Sequence, residues 1–542
     1  MHIVLKHFCI IICFLLVSVS ALAEGGLPIV EMRGDRLMIY PQRMELTGEE
    51  SLMEVLQMVP DLTVLGYEDV IGNYNLRIDN CPMNGDTRLI LSQMKAKDIA
   101  TIQVCDNTGV AKGTIGMGRV LDINMKMPEG ARGFVEGQSE GGKEMTGNGT
   151  VNTLYGSRHT DLYANASYRR QEGDREYLTL HMTNRFDRRN RLLTYFTQQY
   201  LDTPAGSSQK VMGRARYFHT FNDQGTELLV VGSYQYAETP GLSHKLPLYN
   251  FELNTPLFIP RLSMMLGTEG DFLMTTQKAA NREWEVFNYD VYLQFVYSLP
   301  KWRFTVGRRV MCYDYKLYGQ QSEQTSLQNA ETTQRYSDTR HNANASVIFL
   351  PDSRHQVQLG FYRKYYNPSY EQLFQDAASL SDEAWAVTKG QLAERTINQM
   401  KLAYAYSQQK LTVQTEASYY NIEGDENFTI LSASAYWKTG WLSMSGGPHL
   451  YVAGSGAYAS FRLAPTVCLP QAWRVGMQLV AHTEKSPERE KTGVPVYGCL
   501  SVSKQFGQHW HLGVDWHDMF DAFCSGAKVN RHAANMKLHY RF

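Results

Sequence analysis

The chain predicts an all-β transmembrane barrel of about 22 antiparallel strands (range roughly 18–22), preceded by a small α+β domain. Three observations carry this reading. First, from about residue 131 apolar and polar residues alternate. Leu411, Val413, Thr415, Ala417 and Tyr419, for example, stand against Thr412, Gln414, Glu416, Ser418 and Tyr420. Such alternation marks strands with one dry and one wet face. Second, most segments run roughly 10 to 13 residues, close to the 9–11 that a tilted strand needs to cross an outer membrane, whereas soluble strands usually run about 5 to 6. Third, the connections differ by parity, and the longest all fall on one side.

Taken from the N-terminus, Lys6, the apolar run 8–19 and Ala21-Leu22-Ala23 predict a secretory leader over residues 1–23. No Cys follows the cleavage point, which argues against a lipoprotein. Residues 24–130 form the small domain. Helical spacing over 51–59 puts Leu52, Val55, Leu56 and Val59 on one side, and Pro60 ends the run. A second helical stretch covers 87–95, and strands are expected at 74–78, 102–104 and 120–125. This domain holds 10 Lys+Arg against 16 Asp+Glu, which leaves a modest positive excess for residues 131–542.

Within the barrel, the tight junctions include Asn222-Asp223-Gln224-Gly225, Pro300, Pro351-Asp352-Ser353, Lys438-Thr439-Gly440 and Gly507. The long ones are 238–248, 319–336, 367–393, 485–494 and 518–530. Short turns on one side and long loops on the other are what an up-and-down membrane barrel produces; a propeller or tandem sandwiches would show no such parity. In the last segment Ala534, Met536, Leu538, Tyr540 and Phe542 alternate with Asn535, Lys537, His539 and Arg541.

Composition narrows the class further. With 53 Lys+Arg and 54 Asp+Glu the net charge is −1, so no global basic excess points to nucleic acid. Aromatics at 12% exclude a disordered chain. The mean hydropathy of −0.36 reads as soluble, but averaging lipid-facing with lumen-facing residues gives the same value. The 33 Tyr are candidate interface girdles and loop contacts. Six cysteines remain after the leader, none in a CxxC pair, and only Cys81 with Cys105 lies within one small region; whether they bridge is left open.

The ordered motifs resemble TonB-dependent receptors, in particular the compact outer-membrane receptor-like proteins of Bacteroidetes. Residues 29–37 resemble the opening strand of that family's plug, and 52–60 (LMEVLQMVP) its "vLrkvPgv" helix. Ile78-Asp79-Asn80-Cys81-Pro82-Met83 is similar to its "iDGkpm" turn. Residues 98–104 with 116–123 resemble "dIerIEV…GmgGvinI", and Arg363, 368–373 and 390–394 resemble "R.Psy.qL…GNP.LkPE". Asn80, Gln103 and Arg119 depart from the pattern, and the only TonB-box candidate is Leu27-Pro28-Ile29-Val30. The resemblance implies a plug over 24–130 that closes a lumen too wide for side chains to fill. Asp79, Gly113, Gly116 and Gly118 then form the plug motif.

The implied function is an outer-membrane receptor that binds a small ligand at extracellular loops and imports it past the plug. The alternative is an uncoupled binding or scaffold barrel of a surface complex. Tyr370, Phe374 and Trp385 in the 367–393 loop are the candidate ligand contacts, since loops on a rigid scaffold usually carry binding. Tyr540 and Phe542 resemble the C-terminal signal read by the barrel-assembly machinery. The implied partners are outer-membrane lipid, that machinery, TonB and a surface lipoprotein, with no nucleic acid. No catalytic residue, cofactor or metal is expected. Three SxxK strings (Ser92–Lys95, Ser298–Lys301, Ser501–Lys504) and two Lys-Thr-Gly strings lack the Ser-Asp-Asn that a serine acylase would add. His509-Trp510-His511 is expected to put Trp510 in a membrane-interface belt and both imidazoles in the lumen.

Overall fold

The computed structural model describes residues 29–33, 36–44, 46, 50, 52, 55–56, 74–79, 81–82, 91, 94–105, 119–126, 129–141, 146–170, 173–204, 206–223, 225–277, 282–320, 331–352, 354–366, 395–408, 410–423, 427–454, 456–482, 496–507, 509–517 and 533–541. The expected leader lies outside them.

Two sheets make up the molecule. The first has six strands: β1 (Val30–Arg33), β2 (Arg36–Ile39), β3 (Tyr74–Ile78), β4 (Cys81–Pro82), β5 (Ile99–Cys105) and β6 (Arg119–Met125), in the order β1-β2-β5-β6-β3-β4. β3 and β6 run parallel, and the other pairs are antiparallel. All three expected strands lie within β3, β5 and β6. Leu52, Val55, Leu56 and Leu91 are helical, as the spacing predicts. These residues bury their apolar sides with Leu37, Ile39, Ile102 and Ile123 in one core.

The sheet order also bears on Cys81 and Cys105. β6 and β3 lie between β5 and β4, so the two backbones stand at least three strand spacings apart, about 14 Å at 4.8 Å each.

The second sheet is a closed barrel of 22 strands, from β7 (Gly130–Gly141) to β28 (Ala533–Arg541), each antiparallel to its sequence neighbours. Pairing of β28 with β7, running from Ala534↔Gly141 to Arg541↔Phe134, closes the ring. No helix among the described residues is long and apolar enough to cross a membrane; the strands present that surface instead. Leu359 (60% exposed), Met400 (59%) and Leu402 (53%) face outward in register, which in water would be an aggregation surface and in lipid is the required one. Trp302, Trp441, Trp473, Phe506, Trp510 and Tyr540 are exposed at the short-turn end, where an interfacial aromatic girdle belongs.

Several tight turns match the expectation. Gly225 takes φ +93 and donates its N–H to the Asn222 carbonyl. Asp352 Oδ1 accepts the N–H groups of Arg354 and His355 at 2.8 and 2.9 Å.

Two expected long loops are corrected. β13 (Glu227–Thr239) and β14 (Leu242–Pro256) pair as far as Thr239↔Leu242, so the predicted 238–248 loop is a two-residue turn at Pro240-Gly241, with Gly241 at φ +82. β17 (Trp302–Gln320) and β18 (Glu331–Phe349) likewise pair to Gln320↔Glu331, which shortens the 319–336 loop. Strands projecting beyond the bilayer have water on their outer face, so alternation fades while the hydrogen-bond ladder continues.

The tyrosine reading is also extended. Tyr163, Tyr177, Tyr195, Tyr292, Tyr313 and Tyr315 are buried on the inner wall. There a flat ring fills space while its hydroxyl meets the polar lumen.

Candidate functional site: a plug anchored across the lumen

The six-stranded domain sits inside the barrel. Its core is continuous with Tyr177, Tyr195, Met212 and Tyr436 of the wall, and polar contacts tie it to the wall at separate points around the ring.

One anchor lies at the seam. Lys95 forms a buried ion pair with Glu136 of β7, and His539 of β28 places Nδ1 3.5 Å from the same carboxylate. Nearby, Arg132 of β7 pairs with Asp98 at 2.5 Å, and its guanidinium also donates to the Lys126 carbonyl. Glu50 pairs with Arg474, both buried. Ser407 donates its hydroxyl to the Val30 carbonyl at 2.7 Å, and Thr412 does so at 3.4 Å. Lys438 donates to the carbonyl of Arg43.

Another anchor is the turn after β3, which the sequence had singled out through Asp79. Asp79 adopts φ +47, a left-handed conformation that Asp tolerates better than bulkier residues. Its N–H donates to Ile123, and its Oδ1 accepts the Met125 N–H at 3.0 Å, so the turn is tied to β6. On the barrel side, Arg216 donates to the Asp79 carbonyl at 3.3 Å, and His181 Nδ1 stands 3.4 Å from Asp79 Oδ2. Burial, reinforced by Asp122 and Asp161, pushes the Asp79 carboxyl up to about 7; the Met125 N–H and Arg216 oppose that rise only in part.

Further round the wall, β15 (Leu262–Gln277), β16 (Arg282–Ser298) and β17 present a polar inner face. Arg309 is held by Asp290 and by Glu269 at 2.9 Å, while Asn288 donates to Asp271 and the Tyr292 hydroxyl to Glu252.

Of the residues singled out from sequence, Asp79 is therefore built into a plug–wall contact. Gly113, Gly116, Gly118, Tyr370, Phe374, Trp385 and Phe542 lie outside the described residues. Tyr540 is exposed on the outer face with its ring 4.7 Å from Trp510. The histidine expectation is corrected in part: His511 is buried and Trp510 outward, but His509 precedes its strand, is exposed and packs toward the Tyr540 ring. A turn residue does not inherit the strand's alternation. Among the described residues no group of three metal-ligating side chains occurs. The SxxK strings are not brought together: Lys95 pairs with Glu136, and Lys504 lies over the Trp473 ring.

Sequence reading missed Lys95, Glu136, Glu50, Arg474, His181 and Arg216. Their only local signal is a charge at an inward position of an alternating strand, or on a small domain already acidic.

This arrangement, a closed 22-strand barrel with a separate mixed sheet held in its lumen, defines a plugged outer-membrane-receptor fold. Solved structures share it. The siderophore receptor PirA from Pseudomonas aeruginosa matches with TM-score 0.68 at 11% identity, covering 94% of this chain and 100% of that one. The copper transporter OprC matches at 0.70 and 10% identity, covering 96% and 100%, and the FrpB iron transporter from Neisseria meningitidis at 0.62 and 8%, covering 87% and 93%. At such identities the likeness is one of fold. No family model matches the chain, and no curated protein matches it by sequence.

Proposed function

We propose that this chain is an outer-membrane receptor that captures a small ligand at its extracellular loops and passes it through the barrel when the plug is displaced by a TonB-type partner. The observation that carries the reading is a separately folded sheet held in a wide lumen by buried ion pairs, Lys95–Glu136 and Glu50–Arg474 foremost, beside an apolar contact with Tyr177, Tyr195, Met212 and Tyr436. In this reading the chain divides into a leader (1–23), a plug (24–130) and a barrel (131–542). Ligand contact falls to Tyr370, Phe374 and Trp385, the plug motif comprises Asp79, Gly113, Gly116 and Gly118, and Tyr540 with Phe542 serves barrel assembly. The structural neighbours carry siderophores, iron or copper by their descriptions, so a metal ion or its small chelate is the first ligand class to test. The Bacteroidetes-type likeness of the sequence motifs and a surface lipoprotein partner belong to the same reading.

A specific observation favours the second reading, an uncoupled scaffold barrel. Ile29 and Val30, half of the only TonB-box candidate, are 2% and 1% exposed and built into the plug. Uptake of radiolabelled ferric catecholate and of copper by cells with and without the chain, in TonB-containing and TonB-deleted backgrounds, separates the two. TonB-dependent accumulation supports the receptor. Uptake that persists without TonB, or none of either probe, favours the scaffold.

A further inference from the structure

The outer wall of β17, β18 and β19 (His355–Tyr366) carries charge that neither the plug nor the lumen uses. On β17 the lipid-facing residues from the short-turn end are Trp302, Phe304, Val306 and then Arg308. Six residues on a strand that rises about 3.4 Å each and tilts about 40° place Arg308 about 16 Å above Trp302, inside the apolar band. Its cross-strand neighbour is Ala343, and Ala343 is paired on its other side with Arg363. His341, the next outward residue on β18, holds Nδ1 3.4 Å from Arg308 Nη2. All three side chains are exposed. Arg363 donates to the Tyr365 hydroxyl at 3.4 Å, but among the described residues no carboxylate pairs with Arg308, His341 or Arg363.

Directly beside His341, toward the long-loop end, lies a groove of about 560 Å³. Cys312 and Thr339 floor it, Phe287 and Tyr289 wall it, and the Asp314–Arg335 pair (2.7 and 2.9 Å) closes it. A second acid lines the groove, Asp338, which pairs with Arg340 at 2.8 Å; with Asp314 held by Arg335 both acids are neutralised, so Arg308 and Arg363 leave the patch net positive.

A guanidinium facing hydrocarbon destabilises a barrel in proportion to its depth, and a long side chain relieves this by reaching an anion at the headgroup level. Arg forks match phosphate oxygens in paired hydrogen bonds. We propose that this face binds the phosphate-bearing headgroup of an anionic outer-leaflet lipid. The two arginines reach outward, past His341, to the phosphate at the mouth of the groove, and the acyl chains run toward the midplane over Val306, Phe304 and Phe361.

The test is native mass spectrometry of the whole detergent-solubilised protein. The probe is an equimolar mixture of lipid A, a bis-phosphorylated acylated glucosamine disaccharide, and its dephosphorylated form. The wild type is expected to retain the phosphorylated lipid about tenfold over the other. Arg308→Leu/Arg363→Leu is expected to lose that preference while keeping a heat-modifiable barrel, because leucine suits a lipid-facing site. Arg308→Lys/Arg363→Lys is expected to keep part of it. Equal retention of both lipids by the wild type, or an undiminished preference in the folded leucine variant, overturns the proposal. Displacement of the lipid by millimolar inorganic phosphate also overturns it, since the site would then be one for free anions.

Discussion

Lys95 of the plug and Glu136 of the barrel's first strand form an ion pair at the seam where the ring closes, with only 3% and 6% of their side chains exposed. It joins three things: the plug, the strand that opens the barrel and, through His539, the strand that ends it. Docking of the plug and closure of the wall therefore share one contact.

Removing one partner of such a pair leaves a buried charge uncompensated. Lys95→Met is expected to destabilise plug docking by about 3–5 kcal/mol, and Lys95→Met/Glu136→Gln by much less. Hydrogen exchange of the β5 and β6 amides in the folded protein measures both. Equal losses in the single and double variants would show that the charge itself is not what matters.

The turn at Asp79 makes plug stability depend on pH. Its carboxyl titrates near 7 when folded and near 3.9 when unfolded. Between those values the folded form holds the extra proton, so this group's contribution falls as pH rises from about 4 to about 7 and is flat above. Each pH unit is worth on the order of 1.4 kcal/mol at most. His181, Arg216, Asp122 and Asp161 face the same carboxyl. Asp79→Asn is expected to flatten the fall, read as the pH dependence of β3 and β6 amide exchange between pH 5 and 8.

Leu402 projects outward from the middle of its strand, opposite Leu359. Leu402→Arg places a charge in lipid and is expected to cost about 2–4 kcal/mol. Urea-dependent refolding into phosphatidylcholine vesicles provides the measurement. No change would mean that this face does not meet hydrocarbon.

A lumen ringed by 22 strands conducts ions unless something fills it. The whole chain in a planar bilayer is expected to be silent, and a variant lacking residues 24–129 to form an open channel. Equal conductance from both would place the small sheet outside the pore.

The barrel was legible in sequence because its cause is local. Every strand must show lipid one apolar face, so the requirement repeats every second residue and appears without knowledge of any partner. Alternation foretold the 22 strands, and turn chemistry foretold Asn222–Gly225 and Pro351–Ser353. The reading failed where that cause stops. Beyond the bilayer β13, β14, β17 and β18 continue as paired strands with no apolar face to announce them.

The anchors belonged to tertiary structure alone. Glu136 reads from sequence as one more lumen-facing acid, and whether it meets water or Lys95 is decided 41 residues away; Arg474 meets Glu50 across 424. The same holds outside the barrel, where Arg308 and Arg363 share a patch only because β18 lies between them and presents a small Ala343. The sequence by itself determined that this chain lines a membrane with strands and holds a small mixed domain ahead of them. Only the closed structure decided which charges meet, because a charge pair depends on register between distant strands and leaves no period in the chain.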